Sequence, residues 1–500
     1  PNEIKQLDLK KKSVDARKKN DVRIIYTVDV AVKGREDKIL KMAHSPKASI
    51  ARDTLYSVPQ PQALPDSQPI IVGFGPAGMF AALVLSMAGL RPLVLERGQD
   101  AKTRHEAVSR FWQTGKLDPE CNVQFGEGGA GTFSDGKLNT GVKNERIGWI
   151  LEQFAEAGAS ADILYDAKPH IGTDRLTGMV KSLREEIVAL GAEVRFGARL
   201  SDLRLEGDRI AAVEIDQGGE RSVLPCEALL LACGHSARDT FAMLRDRGAD
   251  MERKPFSIGA RIEHQQERIS RAQYGPAWKK LGAADYKLSC HLPSGRGVFS
   301  FCVCPGGQVV AAASETGQVV TNGMSEYARD RENINGALLV NVTPADFPDG
   351  HPLAGIRLQR QLEDAAFALG GGDYRAPCQR VGDFLAGRPS TGAGTVQPSY
   401  LPGVTYTDLR RCLPAFISET LALALPELGR KLRGYDDPDA LLTGIETRSS
   451  SPVRLGRDDR YESNIRGVYP CGEGAGYAGG ILSAAADGMR CAEKLLEVYR

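Results

Sequence analysis

A chain of 500 residues, 42% of them hydrophobic, exceeds what one core commonly supports and predicts two or three globular domains. The net charge is close to balance at +1, so the excess of 13 Lys/Arg over 7 Asp/Glu within residues 1–50 is a local feature. Ten cysteines are scattered without paired C-x-x-C spacing, which excludes a zinc ribbon and a dense disulfide framework and points to a reducing, cytoplasmic setting. No signal peptide is recognisable, and the most apolar window, 70–95, is broken by glycines, so no bilayer span is expected.

Residues 22–33, VRIIYTVDVAVK, alternate as a strand does, with a helix pattern at 35–43 and a further apolar-bearing stretch before them. Residues 1–58 therefore read as a small basic α+β domain. Its charge is either a solvated face or a surface for RNA or another acidic partner, and Tyr26 is its only aromatic residue through position 50. The proline-rich segment 59–69 reads as a linker, since proline can continue neither a helix nor a central strand.

From 70 to 255 strands and helices alternate: strand 69–74, helix 76–89, strand 92–96, helix 173–191, strand 193–197, an antiparallel pair near 199–224 and the apolar strand 227–233. The expected fold is α/β, a Rossmann-like dinucleotide-binding domain. Between 256 and 445 the text turns strand-rich and is broken by Pro and Gly, including a hairpin expected where PGG joins the two apolar runs of GVFSFCVCPGGQVVAAAS. This is read as an inserted, strand-rich α+β substrate domain. The stretch 446–500 returns to strand, glycine turn and helix and is expected to complete the discontinuous first domain.

The run IVGFGPAGMF supplies the chemistry. Gly73 permits a tight strand-to-helix turn, Gly75 lets backbone amides approach a pyrophosphate, and Gly78 lets helix pack on strand. Pro76 and Ala77 open the helix whose N-terminus faces the phosphates. Glu96 and Arg97 end the next strand, and Glu96 stands 18 positions past Gly78, where a ribose-binding acid is expected. A carboxylate there repels a 2′-phosphate, leaving FAD or NAD. In YPCGEGAGYAGGIL a second strand-and-glycine turn places Gly472 and Glu473 to reach ribityl hydroxyls, and a helix starting near Gly480–Ile481 aims amide donors at a flavin. FAD, longer than NAD, needs that second anchor.

NVQFGEGGAGTFSDGKLNTG, KPHIGTDRL, LLLACGHSARDTF, FSIGARIEH, TRSSSPVRLGRD and YPCGEGAGYAGGILSAAADG span nearly the whole chain. In these stretches the sequence resembles bacterial FAD-dependent dehydrogenases of the glutathione-reductase-like superfamily that carry a small N-terminal domain. The resemblance implies cofactor contacts at Gly128, Gly129 and Thr132. It also implies one at Gly234, although Cys233 replaces the threonine usual before that glycine.

Asp135 and Lys137 either line the flavin face with Ser134 or form an Asx-type turn. His170, which has no evident structural duty, is a candidate proton donor, whereas Thr173 or Asp174 is expected to cap the next helix. Arg448 and Arg454 either hold an anionic substrate or lie on the surface. Cys302 and Cys304, at i and i+2 of a strand, read as packing residues on one face. No metal-ligand spacing is found and no metal is expected. The expected activity is hydride transfer through flavin N5 to or from a small organic molecule, with NAD(P)H or a carrier protein as electron donor. The rival readings are an RNA-modifying flavoprotein and a non-catalytic FAD-binding sensor or structural protein.

Overall fold

The computed structural model describes residues 4–51, 55–63, 67–141 and 144–499. Strands Ile70–Val72 and Leu229–Leu231 are apolar on both faces, the pattern of a sheet covered on each side. With Val468–Pro470, Leu93–Glu96 and Glu193–Phe196 they form a five-stranded parallel sheet. Its order runs Val468–Pro470, Leu229–Leu231, Ile70–Val72, Leu93–Glu96, Glu193–Phe196. The two-residue period of a strand sorts its side chains. Ile71, Val94 and Leu230 pack on helices Pro76–Met87, Thr173–Ala189 and Ile481–Val498. Ile70, Val72, Leu93, Leu95, Leu229 and Leu231 face a meander on the other side, each contributing about 2 kcal/mol of burial. This is the expected Rossmann-like layering.

The meander, Ala198–Glu206, Arg209–Gln217 and Glu220–Pro225, has three strands where a pair was expected. Two glycine turns, at Gly207 (φ 65°) and Gly218–Gly219 (φ 65° and 91°), reverse the chain twice.

Met251–Arg253 pairs with Val453–Leu455 at the point where the chain leaves the parallel-sheet unit and returns to it. Between them lies a seven-stranded mixed sheet, ordered Ser289–His291, Gly297–Cys304, Asn333–Val342, Phe256–Gln265, Leu441–Glu446, Ala376–Arg380, Val404–Tyr406. Helices Ala354–Gly370 and Ala415–Lys431 close its core. The PGG hairpin does not form. Gly297–Cys304 joins the seven-stranded sheet, whereas Gln308–Ala311 pairs with Thr321–Met324. The reason is Gly306 (φ 46°), seated so close to Arg329 that a Cβ would lie 1.8 Å from its carbonyl oxygen, which steers the chain out of the sheet.

At the N-terminus Ile4–Asp15 and Arg23–Val32 form a hairpin followed by helix Glu36–Ala43, with no buried residue among the described positions 4–50. Lys12 ties the hairpin to the body, its amide donating to Tyr165 O (2.8 Å) and its carbonyl accepting from Ala167 (2.9 Å). The proline-rich segment is strapped to the last helix, where Gln62 and Ala63 amides donate to Tyr499 O at 3.1 and 2.9 Å. Among the described residues no helix is long and apolar enough to cross a membrane.

Candidate functional site

The strand Ile70–Val72 ends in Gly73, whose φ of 96° and closeness to Ala232 O, 2.4 Å from where a Cβ would sit, admit only glycine. At Gly78 a Cβ would stand 1.9 Å from Gly73 O, so the helix is pressed onto its own entry turn. Pro76 occupies the first helical position, pre-set for it, and Gly75 caps without a side chain. Amides of that first turn are left facing a cavity lined by Gly73, Gly75, Pro76 and Ala77.

The second glycine turn lies on the same wall. Gly472 (φ 77°) touches Ala77, since a Cβ would come within 2.8 Å of the Ala77 Cβ, and its amide donates to Asp487 Oδ2 at 2.8 Å. Arg457 holds that carboxylate at 2.7 and 3.0 Å, so a buried ion pair fixes the turn against the helix Ile481–Val498. Gly472, Glu473, Gly480 and Ile481 line the cavity together with Gly129, Gly234, Glu96 and Arg97. Two helix N-termini and two glycine turns, some 400 positions apart in sequence, thus share one cavity.

Glu96 is almost fully buried. Its carboxylate accepts from the amides of Phe74 (2.8 Å), Gly98 (2.9 Å) and Gly126 (2.9 Å). An ionised carboxylate accepts about four bonds, so one remains for a hydroxyl on the cavity side. Arg97 is stacked over Phe125 (4.0 Å) and paired with Glu120 (2.9 Å) and Asp239 (2.9 Å), which sets the plane of its guanidinium at the wall.

The inserted domain supplies the opposite wall with Phe301, Cys302, Asn322, Glu446, Arg448 and Ser449. Glu446 ends the buried strand LLTGIE much as Glu96 ends LVLE, and burial lifts its carboxyl to about 7 against the pull of Arg261 at 3.2 Å. Enclosure lifts Glu473 to about 7 as well, opposed by Lys254. His235, 3.7 Å from Glu473, is pushed down to about 3 by burial and by Arg448, and its Nδ1 is buried without a partner. A neutral imidazole with an orphaned ring nitrogen at the wall fits a polar ligand there.

Several residues expected at the site stand behind the wall. Gly128 and Thr132 shape the loop: a Cβ on Gly128 would strike Thr132 Oγ1 at 2.2 Å, and Thr132 O accepts from Thr173 Oγ1 at 2.8 Å. Gly78 packs helix on turn, as described. Asp135 is buried in an ion pair with Arg329 (2.5 and 2.9 Å) and accepts from Ser325 (2.5 Å), so its charge is spent. His170 is stacked on Tyr327 (5.2 Å) with Nε2 3.1 Å from Tyr327 O, and burial followed by Arg329 lowers its pKa. It is not among the residues that line the cavity, and its ring contacts are to Tyr327. Lys137, whose backbone bridges to His170, does line the cavity.

Neither Thr173 nor Asp174 caps its helix. Gly172 holds that position, and Asp174 instead accepts from the Tyr327 amide at 2.8 Å. Arg448 is buried, donating to Glu363 (2.9 and 3.1 Å), which also holds Arg238 (2.7 and 2.9 Å). Its guanidinium thus joins the two domains. Arg454 is exposed. Among the described residues no cluster of three or more His, Cys, Asp or Glu side chains is arranged to hold a metal ion.

Residues 255–449 match the family model "FAD-dependent protein, C-terminal domain-like", and residues 1–31 match a domain of unknown function. An uncharacterized protein of Clostridium beijerinckii is 48% identical over 99% of this chain and 93% of its own. Among solved structures, the flavin-dependent brominase Bmp2 is similar at 12% identity and a TM-score of 0.41, over 86% of this chain and 79% of its own. The E. coli quinol fumarate reductase FrdA is similar at 10% and 0.40, over 86% and 70%. The chain belongs to the same family as the C. beijerinckii protein, its residues 255–449 match a domain of FAD-dependent proteins, and its cofactor is FAD.

Proposed function

We propose that this chain is an FAD-dependent oxidoreductase of the glutathione-reductase-like kind, acting on a small organic substrate held where the inserted domain faces the parallel-sheet unit. The observation that carries this reading is the single cavity walled by both glycine turns on one side and by Cys302 and Glu446 on the other. Bound FAD supplies the two-electron chemistry, accepting or giving a hydride at its N5.

The protein's own groups do the rest. The turn at Gly75–Ala77 would direct helix amides at the pyrophosphate, and the lone pair left on Glu96 would take a ribose hydroxyl. The helix starting at Ile481, whose N-terminus lines the cavity, would hold the flavin with its positive dipole and so favour the reduced cofactor. Glu473 and Glu446, both with carboxyls near 7, are each about half protonated at neutral pH and take up or release a proton at little cost, as a group trading protons with a substrate must. Lys137 places a positive charge on the same wall, suited to an anionic or carbonyl-bearing substrate.

The test is the visible spectrum of the purified protein, followed without oxygen as NADH and then NADPH is added. A flavin band that bleaches with one of them establishes redox competence and names the donor. A flavin that only dithionite reduces points to a carrier protein, and one that no donor or substrate ever turns over defeats the enzymatic reading.

A further inference from the structure

The sequence places Cys302 and Cys304 on one face of a regular strand, but the strand is not regular there. Its pairing with Asn333–Val342 runs Phe301 to Ala337 and then Cys304 to Asn335, so Cys302 and Val303 together oppose Gly336. The extra residue is a bulge, and Cys302 takes a φ of 40°, a left-handed conformation unfavourable for a non-glycine residue. The bulge turns Cys302 to the cavity wall while Cys304 stays fully buried behind it.

The two residues remain in contact, the Cys304 thiol donating to the Cys302 carbonyl oxygen at 3.4 Å. Beneath them lies the buried guanidinium of Arg261, which donates to Cys302 O at 2.9 Å and stands 3.7 Å from Cys304 Sγ. Glu446 completes the group, 3.2 Å from Arg261 on its other side. The hydrogen bond from Cys304 first, then Arg261 and Lys137, bring the Cys302 thiol down to about 6, whereas Cys304 is pushed well up. Cys233 also lines the cavity but has no such support, and burial raises it to about 12. A cavity-facing thiol with a lowered pKa, backed by one whose pKa is raised, is the asymmetry that thiol–disulfide chemistry uses.

We propose that Cys302 and Cys304 are a redox-active pair that exchanges two electrons with FAD in the adjoining cavity, cycling between two thiols and one intramolecular disulfide. In the oxidising direction one S–S bond forms and both sulfur-bound protons leave. The two electrons and one proton pass to FAD, and the second proton passes through the Glu446 carboxyl to solvent. This rests on the assignment of the cavity to FAD, and the experiment separates the two claims.

The FAD-loaded protein is titrated anaerobically with dithionite, with FAD content read from absorbance and cysteines counted by maleimide mass-labelling at each point. Wild-type protein should consume four electrons per FAD, with two maleimide-reactive thiols appearing at Cys302 and Cys304. Cys304→Ser, which keeps a hydrogen-bonding side chain, should consume two and retain its FAD. Uptake of two electrons per FAD by the wild type, with both cysteines reactive throughout, overturns the pair while leaving FAD in place. Protein that binds no FAD overturns the cofactor assignment instead. The pair is then decided on the apoprotein with oxidised glutathione, which should join Cys302 to Cys304; two free or separately glutathionylated cysteines refute it.

Discussion

Gly488→Ala tests the contact that brings the two glycine turns together. Gly488 lies in the helix Ile481–Val498, and a Cβ built on it would sit 2.0 Å from Ala77 O and 2.7 Å from Ala77 C, with ordinary contact beginning at 3.4 Å. The obstruction is backbone, so no side chain can swing away and one helix must withdraw by more than about 1 Å. Two effects oppose each other. Alanine favours a helix interior over glycine by about 1 kcal/mol, whereas overpacking a well-filled contact costs about 1–3 kcal/mol. Because the clash falls on backbone, the upper part of that range applies and the net effect is a loss of about 2 kcal/mol. Ala77 is itself part of the cavity wall, so FAD content should fall with stability. Gly178→Ala is the control: that glycine is exposed in the helix Thr173–Ala189 with nothing within 4 Å of a Cβ, so propensity acts alone and stability should rise by about 0.5–1 kcal/mol. Urea unfolding of both variants as apoproteins, alongside FAD content after saturation, gives the comparison. If Gly488→Ala proves as stable as Gly178→Ala, the close helix contact that organises the site is refuted.

Glu363→Gln leaves Arg238 and Arg448 buried without their shared carboxylate and should cost about 3–5 kcal/mol in urea unfolding at neutral pH; a loss under about 1 kcal/mol refutes the junction. Despite its burial, the two guanidiniums hold Glu363 well below the carboxylate range. Its stabilisation is therefore present above the unfolded value of about 4.3, and the gap between wild type and variant should narrow as pH falls below it. Glu446 has the opposite sign: its folded pKa of about 7 lies above the unfolded one, so the stability it gives at low pH is lost as pH rises from about 4.3 through 7. Glu446→Gln should lack that decline, and parallel pH profiles for the two apoproteins would refute the raised carboxyl. His170→Gln should leave FAD content and FAD reduction rates nearly unchanged, because the imidazole serves Tyr327 and not the cavity; a loss of about tenfold would return His170 to the chemistry.

What the sequence by itself determined is the part of the site written in short-range geometry. Gly73, Gly75 and Gly78 between an apolar strand and an Ala-rich helix, with Glu96 closing the next strand, specify a dinucleotide turn because the backbone demands act within a few residues. The alternation of strand and helix segments likewise foretold the α/β dinucleotide-binding domain. The tertiary structure alone decided what faces the cavity. Asp135 and His170 have the composition of catalytic residues, yet Arg329 and Tyr327, more than 150 positions later in the chain, take up their polar atoms. Cys302 read as strand interior and Glu446 carried no motif at all; a bulge opposite Gly336 and a sheet order that places Leu441–Glu446 beside Phe256–Gln265 made both of them wall. Charge pairing and burial are set by partners distant in sequence, and no local pattern carries that information.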